Sequence, residues 1–267
     1  MKGKKKGPVT KKVAATRSSR SERLQVDYNF ENPHNDHLFR NQEAGALYNN
    51  IVAKKAISKC YYYAFPPNIP HLYDKVEEIE RRWGFGNLAC LNCPSYDVIT
   101  RLFYANAIFH HAEEKVTSYI LGENFEISVS NLCDLLGLKD DGEKVYNARK
   151  GRPDPAIIDH MKKVVTNNYA SENSASHLAA PEKFVWAIGN NILTPVAKLK
   201  ANLENRNIML LYRMWYPDQL IMHVPNLILS HMESVMSQKN ASLPYGTMIS
   251  HMLELQGFTI PVQDWDC

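Results

Sequence analysis

Apolar residues return every three or four positions through most of the chain from Leu72 to Phe258, in short segments cut by glycine and proline. That spacing lines up one face of an α-helix, whereas a strand-built fold would need sustained alternation. "LYDKVEEIERRWGF" puts Leu72, Val76, Ile79 and Trp83 on one face, with Gly84 and Gly86 as the stop. "SYDVITRLFYANAIFHHAEEKV", Ser95 to Val116, carries Val98, Leu102, Ala105, Phe109, Ala112 and Val116 at steps of three and four, widened by Ile99 and Phe103. The pattern predicts one continuous core-facing helix, capped by Ser95, with Asp97 in its first turn and Phe109 inside the core.

One stretch departs from this period. In "YILGENFEISVSNLCDLLGL", Phe125, Ile127 and Val129 alternate with polar neighbours, which predicts a short extended or β element near 124–129. Ser130 then caps a short helix with Leu132, Leu135 and Leu136 inward and Gly137 at its end. Asp154-Pro155, Pro181 and Pro225 read as further helix starts. Asn205 to Tyr216 reads as a central helix, and a last one runs from a Ser242 cap to a Gly257-Phe258 stop. Upstream, Glu43 to Lys59 admits a helix with Leu47, Ile51 and Val52 inward, before the irregular, proline-rich "CYYYAFPPNIPH". The expected organisation is a disordered basic and polar arm over 1–40, a linker with a possible helix over 41–64, one helix-dominated domain over 65–260, and a tail over 261–267. The expected fold class is mainly α with a minor β element.

Charge separates the arm from the body. Residues 1–23 hold nine lysines and arginines against one acid, a net +8, while the remainder has 22 basic and 27 acidic residues, a net −5. A segment so poor in apolar groups and so rich in like charge repels itself and stays unfolded. Its clusters Lys4, Lys5, Lys6 and Lys11, Lys12 suit nuclear import, or weak, salt-sensitive contact with nucleic acid. Tyr61, Tyr62, Tyr63 and Phe65 offer rings for stacking on bases, or for packing. No window nears the 18 consecutive apolar residues of a membrane span, and the start lacks the apolar region of a secretory signal. Five cysteines, an odd number, do not make a disulfide framework. The expected location is the nucleus.

The chemistry-bearing residues are few. Cys90-Leu-Asn-Cys93 has a zinc-ligand spacing, but His110 and His111 are adjacent and point about 100° apart on a helix, so only one completes a site, with Cys60 or Cys133 as a distant fourth ligand. His110 with Glu113 and His111 with Glu114 share helix faces, yet a carboxylate metal centre needs further inward ligands from other helices. The chain has no GxSxG elbow, no phosphate-binding GxxxxGK[ST] loop, no GxGxxG fingerprint and no HExxH. The residues therefore predict no enzyme, no cofactor and no catalytic or metal site.

Four blocks in order carry a resemblance: "RRWGF" at 81–85, "YDVITRLFYANAIF" at 96–109, "VTSYILGENFEISVSNLCDLLGL" at 116–138 and "LPYGTMISHMLELQGF" at 243–258. Together they resemble the plant transposon protein domain over roughly 75–260. Phe103, Tyr104, Ala105 and Asn106 match the second landmark. Gly122, Phe125, Ser128, Leu136, Gly137 and Leu138 match the third, and Leu243, Pro244, Ile249 and Gly257 the last. "CLNCPS" is not part of that pattern. The resemblance implies a mobile-element origin, often as one piece of a longer polyprotein, and brings no enzymatic activity and no catalytic residues. The leading expectation is a non-catalytic interaction or assembly module with protein partners. A gag-like nucleic-acid-binding protein and a zinc-binding module built on Cys90 and Cys93 are the alternatives.

Overall fold

The computed structural model describes residues 38–58, 70–91, 93–120, 122–144, 155–165, 174–195 and 205–258. The arm with Lys4, Lys5, Lys6, Lys11 and Lys12, the tyrosines at 61–63, Cys60 and the tail at 261–267 lie outside these residues. Among the described residues there are ten α-helices and one three-stranded sheet, so the fold is mainly α with a minor β element. No helix there is long and apolar enough to cross a membrane.

Helix α1, Gln42–Asn50, starts where the Asn41 side chain accepts from the Ala44 amide. Tyr48 is buried and Leu47 half-buried, but Ile51 is exposed and the chain tightens into a 3-10 turn that buries Val52. That turn is pinned to the body by cations. Arg101 Nη1 donates to the carbonyls of Val52, Ala53 and Lys55, and the buried Lys55 Nζ donates to those of Val235 and Gln238 at 2.7 and 2.6 Å. Ile57 bridges Leu243. The segment between α1 and residue 58 is therefore stitched to the core.

Helix α2, Pro70–Trp83, buries Leu72, Val76, Ile79 and Trp83 at the expected spacing and stops at Gly84. A single turn, α3 (Gly86–Ala89), leads towards α4, Asp97–Asn106. Tyr96, not Ser95, occupies the cap position of α4, and the buried Ser95 hydroxyl makes no hydrogen bond. The larger correction follows at once. The helix expected to reach Val116 ends at Asn106, and the chain turns into β1 (Ile108–His110), a 3-10 turn and β2 (Lys115–Ile120). Strand β3, Glu123–Ser128, is the extended element expected near 124–129. The strands pair antiparallel in the order β1-β2-β3, with Phe109 opposite Val116 and Val116 opposite Ile127.

Local chemistry accounts for the break. The Asn106 side chain takes the Leu102 carbonyl and also those of Leu38 and Tyr119, and its own oxygen receives the Arg40 amide. It thus ties α4 to the strand that follows instead of continuing the helix. Beyond it, Val116, Ser118 and Ile120 are buried in strict alternation. Phe109, placed by the helical stripe in the deep core, lies only half-buried on β1.

Ser128 caps α5, Val129–Leu136, two residues earlier than Ser130 would, and Leu132 and Leu136 are buried while Leu135 is exposed. Helices α6 (Pro155–Val165), α7 (Ala180–Ile188) and α8 (Asn205–Trp215) start close to the expected positions, and α7 runs into a π-helical turn, Gly189–Leu193. Helix α9, Val224–Met236, has Pro225 in its first turn. Helix α10, Gly246–Leu255, is led by Tyr245 rather than by Ser242, whose hydroxyl instead meets that of Ser58. Its end is a Schellman cap: the Phe258 amide donates to Leu253 and the Gly257 amide to Glu254. Phe258 then packs edge-on against Phe125, which packs likewise against Phe103. One apolar cluster runs through most of these elements, and α6 reaches it through the half-buried Met161.

Candidate functional site

The adjacent histidines of the sequence sit where the sheet meets the start of α9. His110 ends β1 and His111 opens the 3-10 turn, so they are not helical neighbours. Glu114 closes that turn in the left-handed region, at φ 49°, a conformation that costs a residue with a side chain about 1–2 kcal/mol. Its carboxylate faces α9. Lys144 Nζ lies 2.7 Å from one oxygen and Asn226 Nδ2 3.5 Å from the other. Phe109, His110, His111, Asn226 and Leu229 line a small pocket beside it, of about 10 Å³, with room for no more than a water molecule.

Pairing uses most of the polar groups here. His110 Nε2 meets Thr117 Oγ1 at 2.9 Å, and His111 Nε2 stands 3.1 Å from a Glu233 oxygen on α9. Lys115 bridges Glu113 and Glu126. Its hydrogen bond and charge hold the Glu113 carboxyl below the usual range, and the same partners hold the lysine ammonium up. The Glu114 hydrogen bond raises Lys144 in the same way. Asn226 is the exception: it is 1% exposed, and its Oδ1 has no partner.

Two contributors come from segments that the sequence patterns do not single out. His223 is buried in front of α9, its Nδ1 accepting the Asn226 amide and its Nε2 2.7 Å from Asp140. Asp140 belongs to the polar 137–144 loop, which is clamped to the segment before α9 by the Glu143–Met222 bridge and to α8 by the Arg213–Glu143 ion pair. A histidine directly before a Val-Pro helix start was the available signal, but its partner lies 83 residues away.

The cysteines stand elsewhere. Cys90 is exposed at the end of α3, and the half-buried Cys93 sulfur lies 3.6 Å from the Thr247 carbonyl. Burial, with Glu254 adding, pushes the Cys93 thiol up, which disfavours the thiolate that zinc requires. Among the described residues no three His, Cys, Asp or Glu side chains come together to hold a metal ion, so His110 and His111 do not complete a set with Cys90 and Cys93 there. A second, open cleft of about 330 Å³ lies between the end of α2 and Gly137, edged by Glu77, Glu80, Arg81 and Lys139. Burial and the neighbouring Glu77 raise the Glu80 carboxyl.

The arrangement at His110–Glu114 is a seam of paired charges that fastens the sheet turn and the 137–144 loop to α9. The chain matches no family model, no curated protein and no solved structure.

Proposed function

We propose that this chain is a non-catalytic interaction or assembly module derived from a mobile element of the plant transposon protein kind, acting with protein partners in the nucleus. The observation that carries the reading is how the residues of the resemblance are used. Tyr104 donates to the Pro244 carbonyl at 3.0 Å, joining two of the landmark blocks, and Asn106 gathers three carbonyls and an amide. Phe103 and Phe125 pack edge to face, Ser128 caps α5 and Gly257 closes α10. Each holds elements together, as a scaffold that presents a surface requires.

The basic arm supplies a separable function. Full-length protein and a form lacking residues 1–23 would be titrated with DNA and RNA at 50 and 200 mM salt. Binding through the arm is expected to vanish on truncation and, for duplex DNA with several phosphates neutralised, to weaken roughly a thousandfold between the two salts. Sequence-selective binding by the truncated body would replace this reading with the gag-like, nucleic-acid-binding one.

Localisation has its own test, because a chain of 267 residues is small enough to enter a nucleus by diffusion. Residues 1–24 fused to a large, excluded reporter are expected to carry it into the nucleus. Changing Lys4, Lys5, Lys6, Lys11 and Lys12 to alanine is expected to abolish accumulation. A reporter that stays cytoplasmic with the intact arm rejects nuclear targeting.

A further inference from the structure

Helix α9 is capped by an imidazole where a hydroxyl, carboxylate or amide is the usual choice. The Asn226 amide donates to His223 Nδ1 at 3.1 Å. A ring nitrogen accepts only when it carries no proton, so this contact requires the neutral ring with its hydrogen on Nε2. That hydrogen points to Asp140 Oδ1 at 2.7 Å. The His223 amide donates to the Glu143 carbonyl at 2.9 Å, so the same residue holds the 137–144 loop by backbone as well as by ring.

We propose that His223 is an acid-sensitive latch between the 137–144 loop and α9: a second proton on the ring turns the cap's acceptor into a donor, displaces the Asn226 amide and loosens the start of the helix. Asn226, whose side chain lies against Glu114, moves with it. The seam between α9, the sheet turn and the loop is thereby coupled to proton concentration.

Two contacts pull in opposite directions. A charged ring strengthens its pair with Asp140, but that carboxylate is 67% exposed and its attraction is screened by water. The Nδ1 contact is buried with a ring that is 1% exposed, and protonation sets N–H against N–H there. The buried contact decides the outcome.

The charged and titratable groups around the ring fit this. Asp140, Asp141, Glu143 and Lys144 stand on the loop, and Arg213 of α8 neutralises Glu143. Glu114, from the turn before β2, is neutralised by Lys144. Cys133 of α5 has its thiol pushed up by burial and by the charge of Asp140, so it remains neutral.

The test uses the whole chain, labelled with ¹⁵N and followed by NMR from pH 8 to pH 5. At pH 8 the His223 ring is expected to be the Nε2–H tautomer. As that ring takes up its second proton, the hydrogen-exchange protection factor of the Asn226 amide is expected to fall at least tenfold relative to amides in α4. His223→Asn, which caps without titrating, should remove the acid response, and Asp140→Asn should keep it. A ring protonated on Nδ1 at pH 8, or protection at Asn226 that survives protonation of the ring, overturns the proposal. So does an equal acid response in His223→Asn, or loss of the response in Asp140→Asn. If His223→Asn fails to fold, the tautomer and exchange measurements on the unaltered chain decide alone.

Discussion

Asn106→Asp is expected to destabilise the protein by at least about 3 kcal/mol at neutral pH, although it exchanges only an NH2 group for an oxygen. The native amide nitrogen donates to the carbonyls of Leu38, Leu102 and Tyr119 at 2.8, 3.1 and 2.8 Å, and the side chain is 2% exposed. An acceptor in that place faces three acceptors. Each buried polar group stripped of its partner costs about 1–3 kcal/mol, and an unpaired buried carboxylate costs more. A natural domain has about 5–15 kcal/mol in total, so a large share of the stability is at stake.

The pH dependence of that variant tests the cause. Burial without a cation raises the new carboxyl's pKa in the folded state above its unfolded value. The penalty is therefore full at neutral pH and shrinks as pH falls through the folded value, because the neutral acid regains one O–H donor. Asn106→Leu also leaves the Leu38 and Tyr119 carbonyls and the Arg40 amide unpartnered, but brings no charge. Its loss is expected to be smaller than that of Asn106→Asp at neutral pH, and flat with pH. Urea unfolding of the full chain at pH 5 and pH 7.5 reads both. A midpoint for Asn106→Asp within about 0.5 kcal/mol of the unaltered protein, the scatter of ordinary surface changes, would mean that Asn106 does not tie α4 to the sheet.

Asn106 also marks the boundary of what could be read in the sequence. Helices α2, α9 and the end of α10 were legible because their signals are local: an apolar stripe bounded by proline before or glycine after. The turn at Gly257-Phe258 needs only the last residues of its own helix. Beyond Asn106 the local signal misleads. Phe109, Ala112 and Val116 continue the three-and-four spacing of α4, yet the alternation of Val116, Ser118 and Ile120 is what the fold uses. Choosing between the two periods requires the partner strand, Glu123–Ser128, because a strand is completed by its neighbour and not by itself.

Serine caps failed for a related reason. Ser95, Ser130 and Ser242 each had a competitor nearby, and the cap positions fall at Tyr96, at Ser128, which accepts from the Asn131 amide, and at Tyr245. The seam at α9 was out of reach altogether. His110, His111 and Glu114 were visible as residues, but their setting depends on His223 and Asn226, more than a hundred positions along the chain, and on Asp140 between them.

The clamp that brings Asp140 to His223 rests on Gly142, and Gly142→Ala is expected to cost about 3–4 kcal/mol through strain and two lost hydrogen bonds. Two effects combine. Gly142 has φ 104°, which side chains rarely adopt, and a Cβ there would lie 2.9 Å from the His223 nitrogen, 2.9 Å from the Met222 carbonyl carbon and 3.0 Å from the Ile221 oxygen. These are backbone atoms, so no rotamer change relieves them. The loop must back away, and what holds it is the pair of hydrogen bonds from Glu143 to Ile221 and from His223 to Glu143, at 2.8 and 2.9 Å.

Gly257→Ala isolates the first effect. Gly257 also has positive φ, at 86°, but a Cβ there meets nothing within 4 Å. It should cost only the conformational strain, about 1–2 kcal/mol. Denaturation of the two variants side by side thus separates strain from collision. Equal losses would mean that the loop over His223 yields freely and that the Glu143–Met222 bridge adds nothing to the fold. The expected excess for Gly142→Ala should come with faster hydrogen exchange at Glu143 and His223, because the two amides that lose their acceptors are theirs.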